Sequence, residues 1–195
     1  LSDVEVAQHD GGGIDWAVLT GDHAERRNRE SLDALEEALL GREVPVMTLR
    51  GETERLRNDQ VSYRPRFGPI TMQFAIGAAS FTSFDSTTRV LNGLSVTSLN
   101  DRLDGSSDGP HVAFTHTPLF DPENLRDGGF RSELEATRIL SVLEQTDTSP
   151  LVAGHVSTRG RLQQGSVDIV ATSAVSSVGY TLVSVATTSD TNRPV

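Results

Sequence analysis

Four short apolar runs in this chain end in polar residues able to bind a metal or move a proton. Trp16–Thr20 leads into Gly21, Asp22 and His23, and Val46–Arg50 leads into Gly51, Glu52, Thr53 and Glu54. Val112–Thr115 leads into His116, Thr117 and Pro118, and Leu151–Ala153 into Gly154, His155, Val156 and Ser157. In α/β sheets the carboxyl ends of strands line the crevice where ligands sit. One Asp, one Glu and two His meeting there make a mixed oxygen and nitrogen cage suited to Zn, Mn or Fe. A glycine precedes Asp22, Glu52 and His155, where it lets the backbone turn sharply toward an ion.

Each piece taken alone has a plainer reading. A Gly-Asp after a strand is a common turn, and a strand-end His is commonly a hydrogen-bonded residue without a reaction to perform. Gly51-Glu52-Thr53-Glu54 reads as a helix start with favourable acids in its first turn. Together and in this order, the four point to one site.

The elements that must position them are legible as alternating apolar runs and helical patterns, the order expected of a layered α/β domain. The expected strands are Trp16–Thr20, Val44–Leu49, Met72–Ile76, Ser80–Phe84, Val112–Thr115, Leu151–Ala153, Ile169–Thr172 and Tyr180–Ala186. The first, second, fifth and sixth are nearly continuous apolar runs, as strands covered on both faces should be. Leu32, Leu35 and Leu39 share one face of a helix over Arg29–Leu40. Thr97 is placed to cap a short helix carrying Leu99 and Leu103, and Ser132 with Glu135 forms a capping box ahead of Ala136, Ile139, Leu140 and Leu143. Gly105–Gly109 and Asp127–Gly129 read as loops. The pattern favours a mixed sheet or two stacked sheets flanked by helices.

Composition narrows the function. With 195 residues the chain is the size of one domain, and 36% hydrophobic with 23% charged residues describes an ordinary globular protein. A formal net charge of -10 argues against a nucleic-acid surface, which needs clustered cations. All 17 basic residues are Arg, scattered without a single chemical purpose. There are no cysteines, so disulfides, thiolate metal sites and cysteine nucleophiles are excluded. No apolar run approaches the roughly 18 residues that a membrane span requires.

The order of the polar blocks resembles the calcineurin-like metallophosphoesterases, whose blocks run D-x-H, G-D, G-N-H-D/E, H and G-H-x-H. Gly21-Asp22 matches the second block, Thr115-His116-Thr117-Pro118 the His block, and Gly154-His155 the first half of the last. Phe84-Asp85-Ser86, followed by Gly93-Leu94-Ser95 and Ser98–Leu103, resembles a further recurring stretch; Val167–Thr172 with Gly179–Val185 resembles the closing hairpin. The resemblance spans nearly the whole chain. It implies a four-layer α/β/β/α sandwich of two mixed sheets flanked by helices, with residues 1–195 as a single domain lacking its first strand. It also implies a divalent ion, Mn, Zn or Fe, and a phosphoester small molecule as substrate.

The departures are as informative. In the third block the family's Asn is Glu52 and its His is Thr53; in the last block the second His is Ser157. The Thr53 change removes an imidazole expected to stabilise the transition state or protonate the leaving group. The first block aligns with Ser2-Asp3-Val4-Glu5, giving Asp3 as a ligand and Glu5 in place of His, but too close to Asp22 for the usual intervening helix. By family role, one metal position draws on Asp22, Glu52, His116 and His155. The other draws on Asp3, Glu5, shared Asp22 and Ser157, a poor set. At most one ion per chain is therefore expected. Two functions stay open: a metal-dependent phosphoester hydrolase with a degenerate site, in which Arg159 would orient an anionic substrate and His23 assist as acid or base, or an inactive domain serving as a binding or scaffolding module.

Overall fold

The computed structural model describes residues 15–24, 28–54, 63–91, 93–105, 109–122, 128–156, 159–172 and 183. The expected strand Tyr180–Ala186, and most of the hairpin segment Gly179–Val185, lie outside these.

Two sheets form. The smaller pairs β1 (Ala17–Leu19) with β2 (Val46–Thr48) in parallel. Between them runs helix α1 (Arg29–Leu39), capped by the Asn28 side chain on the Glu30 N–H and burying Leu32 and Leu35. A short turn of helix, α2 (Arg64–Phe67), follows, with Pro65 in its first turn, where a missing N–H costs nothing.

The larger sheet contains β3 (Gln73–Ile76), β4 (Ala79–Ser83), β5 (His111–Thr115), β6 (Thr148–Ala153), β7 (Gly160–Gln164) and β8 (Val167–Ala171), in the order β3-β4-β5-β6-β8-β7. Its centre, β4 to β5 to β6 to β8, is parallel, and each edge strand is antiparallel to its neighbour. Parallel neighbours need crossovers, which α3 (Gly93–Asp104) supplies between β4 and β5 and α4 (Glu133–Gln145) between β5 and β6.

Both faces of the large sheet are covered, and the side chains sort by strand alternation. Ala113, Leu151, Val167 and Ile169 pack with Leu99 and Leu103 of α3 and Ala136, Ile139, Val142 and Leu143 of α4. On the other face Phe81, Val112, Phe114 and Val152 meet Trp16, Val18 and Met47 of the small sheet. Trp16 presents its edge to Phe74, Phe81 and Phe114, with ring centroids 5.2, 4.9 and 5.5 Å away. The far side of the small sheet is covered too: buried Thr48 accepts the Tyr63 hydroxyl at 2.9 Å, and Arg66 of α2 pairs with Asp33 of α1. The chain is thus two sheets flanked by helices.

Two local expectations differ from what forms. The helix expected at Thr97 starts a turn earlier, at Gly93, and the Thr97 hydroxyl bonds back to the Gly93 carbonyl at 3.1 Å, as a residue inside a helix does. Ser132 caps α4 through the Glu135 N–H, but the Glu135 carboxylate accepts from Leu91 N–H at 3.4 Å instead of closing the box. β8 pairs antiparallel with Gly160–Gln164, reached through Gly165 at φ 57°.

Candidate metal centre

The parallel strands and β1 and β2 end on one side of the molecule, and there Asp22, His116 and His155 bring one ligand atom each to within 4.8 Å of one another. They come from the ends of β1, β5 and β6. The two imidazole rings stand edge to face with centroids 5.1 Å apart.

Each ligand is fixed by its neighbours. His116 Nδ1 lies 2.7 Å from the Thr20 carbonyl, which only accepts, so Nδ1 carries the hydrogen and Nε2 faces the cluster. His116 is almost fully buried, and Nε2 stands 3.4 Å from Asp22 Oδ2 and 3.2 Å from His155 Nδ1. Tetrahedral zinc, with bonds of about 2.0–2.1 Å, requires ligand atoms roughly 3.3 Å apart. The spacing and the O, N, N donor set fit a borderline divalent ion. Asp22 uses its other oxygen, Oδ1, to accept the Thr53 N–H at 2.9 Å.

The backbone is bent hard to achieve this. Asp22 and His155 themselves sit in the left-handed region, at φ 59° and 64°. For residues with a Cβ such conformations cost of order 1–3 kcal/mol each, and they concentrate at functional sites. The preceding glycines serve close approach: a Cβ on Gly21, at φ 101°, would lie 2.5 Å from His116 Nδ1, and one on Gly51 would strike the Asp22 carboxylate. Gly154 presses on Thr20 in the same way. The sharp turn at the last block is therefore made by His155 and not by the glycine before it.

Of the expected site residues, Asp22, His116 and His155 converge. The exposed Glu52 stands outside that group, although its charge acts on His155. Asp3, Glu5 and Ser157 lie outside the described residues. Arg159 is exposed. His23 does not face the cluster as an acid or base: its Nε2 accepts the Gly21 N–H at 2.8 Å and the ring also bonds the Leu19 backbone, so it shapes its own loop.

Two residues were not marked out by their sequence context. Glu54, expected in the exposed first turn of a helix, turns inward and is 1% exposed. Its Oε1 accepts the N–H groups of His23 and Ala24 at 2.5 and 2.8 Å, and its Oε2 those of Asp22 and Gly51 at 2.9 and 2.7 Å. Arg89, at φ 58°, donates from Nε and Nη2 to the Gly129 carbonyl at 2.9 and 2.7 Å, and its positive charge acts on His155. The signal for Glu54 was its match to the acidic last position of the third block; Arg89 gave none.

Electrostatics divide the site. Burial raises the Asp22 carboxyl, but the bond and charge of His116 and the bonds from Thr53 outweigh it and hold the group well below the usual carboxylate range. Burial lowers His116, but the bond and charge of Asp22, the Thr20 carbonyl and the Glu54 charge together raise it. His155 goes down, first through burial and then through the charge of His116. His23 and His111 are also lowered, burial being the first cause in each.

These opposite shifts predict a stability maximum for the metal-free protein. The raised His116 stabilises the fold fully below the ordinary histidine value of about 6.5, and the gain is lost as pH rises through its folded value. The lowered His23, His111 and His155 do the reverse: the unfolded chain takes up their protons first, so stability falls as pH drops below about 6.5. Thermal melts in chelator across the neutral range should therefore peak near that pH. Added Zn²⁺ or Mn²⁺, which needs His116 neutral, should remove the loss on the alkaline side; a melting profile indifferent to metal above the peak would contradict this.

Two stacked sheets carry a histidine and carboxylate cluster at their strand ends. Comparison with solved structures narrows the fold class. The chain superposes on a dimetal phosphatase from Danio rerio with a TM-score of 0.62 at 15% identity, covering 83% of this chain and 73% of that one. It is similar also to purple acid phosphatase PPD1 from yellow lupin seeds, with a TM-score of 0.60, 13% identity and coverage of 81% and 36%. GAP50, the anchor in the inner membrane complex of Plasmodium, matches with a TM-score of 0.57, 14% identity and coverage of 83% and 62%. The chain thus spans less than two thirds of the length of GAP50 and about a third of the lupin enzyme. No family model and no curated protein sequence matches it. The fold is metallophosphoesterase-like. No helix among the described residues is long and apolar enough to cross a membrane.

Proposed function

We propose that this chain is a metal-dependent phosphoester hydrolase domain with a degenerate site that holds one divalent ion. The observation that supports this most is the convergence of Asp22, His116 and His155, with His116 Nε2 3.4 Å from Asp22 Oδ2 and 3.2 Å from His155 Nδ1. Residues 1–195 would form a single domain around it. Glu52, whose exposed side chain has rotations available and whose charge acts on His155, is the candidate for a fourth ligand. Asp3 belongs to the second position, for which the described residues offer only Asp22.

A divalent ion there supplies Lewis acidity, polarising a phosphoryl oxygen and acidifying water. The chain's own residues contribute position and charge. Asp22 stays ionised, and with Thr53 N–H holding one oxygen it would offer the other to the ion. His116 is locked in one tautomer by the Thr20 carbonyl. Arg89 and Arg159 are two cations at this end of the molecule for an anionic substrate. Thr53 supplies no imidazole, so leaving-group protonation has no dedicated donor at that position.

The second reading is a non-catalytic binding or scaffolding module. Thr53 favours it, and so does the likeness to GAP50, which is itself an anchor. Metal analysis of purified protein followed by a generic phosphodiester assay with added Mn²⁺ separates the two. Bound metal with turnover supports the hydrolase. Metal without turnover favours the module, and the absence of both would sink the enzyme reading.

A further inference from the structure

Glu54 occupies a position that packing alone does not explain. A carboxylate buried to 1% exposure, beside a cluster whose own Asp is ionised, is a costly choice for a core. It is kept there by donors: four backbone N–H groups at 2.5–2.9 Å, with the Thr53 hydroxyl at 3.2 Å as a fifth. Three of the four belong to consecutive residues, Asp22, His23 and Ala24. With Gly21 at φ 101° and Asp22 at φ 59°, these N–H groups point into one concavity, the kind of backbone nest that binds an anion. Glu54 is the resident anion of that nest. Those three bonds tie the loop after β1 to Glu54 of the loop after β2, while the fourth, from Gly51, folds Glu54 back onto its own loop, where a Cβ on Gly51 would collide with Asp22.

We propose that Glu54 is a positioning residue for the metal centre, holding Asp22 in its left-handed conformation with Oδ2 aimed at His116 and His155. This rests on the reading of those three residues as metal ligands. Each Glu54 oxygen serves two N–H groups, so an amide in its place must turn an NH₂ toward two donors. The nest would open, Asp22 would relax toward an ordinary φ, and one of three ligands would leave register. Loss of a group that orients a metal ligand typically weakens metal affinity about 10–100-fold.

The test is the dissociation constant of Mn²⁺ and Zn²⁺, by calorimetry or chelator competition, for the wild-type chain, E54Q, E54D and I139A. Ile139 is fully buried on the far face of the large sheet, so I139A destabilises the core without touching the nest. The expected result is a dissociation constant raised about 10–100-fold in E54Q, a smaller rise in E54D, which keeps the charge and folds if the amide does not, and no change in I139A despite its lower melting temperature. Wild-type affinity in E54Q or E54D overturns the inference while leaving the metal site standing. An equal loss in I139A overturns it too, since affinity would then follow global stability. A wild-type chain that binds neither ion overturns the metal reading and this inference with it.

Discussion

Replacing His116 and His155 together by Ala is expected to remove metal binding and, with it, all metal-dependent phosphodiester turnover. The two imidazoles supply two of the three converging ligand atoms among the described residues, and what remains is one carboxylate oxygen. The loss should exceed the roughly 100-fold ceiling typical of residues that only support a ligand. Stability in the absence of metal should fall less than for an ordinary core truncation. His155 is half-exposed, and the deletion also removes two buried or half-buried groups that compete for protons. The measurement is metal content after dialysis together with the rate on a generic phosphodiester. Turnover that survives the double substitution comes from a contaminant, and metal retained at wild-type stoichiometry places the ion elsewhere.

The second large effect is a gain. T53H should raise kcat for phosphodiester hydrolysis by about 10²–10⁴-fold, the usual contribution of a positioned acid or base. The position is well prepared. Thr53 donates its backbone N–H to Asp22 Oδ1, so its side chain leaves a backbone already fixed against the Asp22 carboxylate. It is only half-buried, which leaves room for a ring, and the bonds given up are those of its hydroxyl, to Glu54 at 3.2 Å and to Asp22. KM should move little, because the imidazole acts on the departing group. Metal affinity should be retained in the variant. If metal binds and kcat does not rise, the site is not arranged around a substrate, and the binding-module reading becomes the stronger one.

Much of the fold was legible because its signals are local. Seven of the eight expected strands form with ends moved by a residue or a few, since continuous apolar runs such as Val112–Phe114 fit only a strand covered on both faces. Strand β7 went unseen: Gly160–Gln164 carries one apolar residue, Leu162, because an edge strand beside solvent needs no more. Its pairing with β8 is set by the Gly165 turn and by backbone hydrogen bonds that any sequence can make. Thr97 misled for a related reason, since its hydroxyl can cap a helix or bond back within one, and the choice depends on whether the preceding turn is already helical.

The candidate site divides in the same way. Residue type and strand ends marked Asp22, His116 and His155 as candidate metal ligands before any tertiary contact was known. Their convergence is a product of sheet order and packing: His116 meets the Thr20 carbonyl across 96 residues of chain, and Thr20 meets Thr172 across 152. The sharper lesson lies in Glu52 and Glu54. Two like carboxylates stand two residues apart in one turn, equally acidic by composition, and the apparent ligand is the exposed one. Which of them turns inward was decided by the four N–H groups converging on the nest, and these exist only once the loops after β1 and β2 lie side by side. The sequence by itself determined the layers, the helix caps and the kinds of ligand available. Only the tertiary structure decided which carboxylate stays exposed and which one is buried holding the loops, because that choice depends on donors brought together from distant parts of the chain.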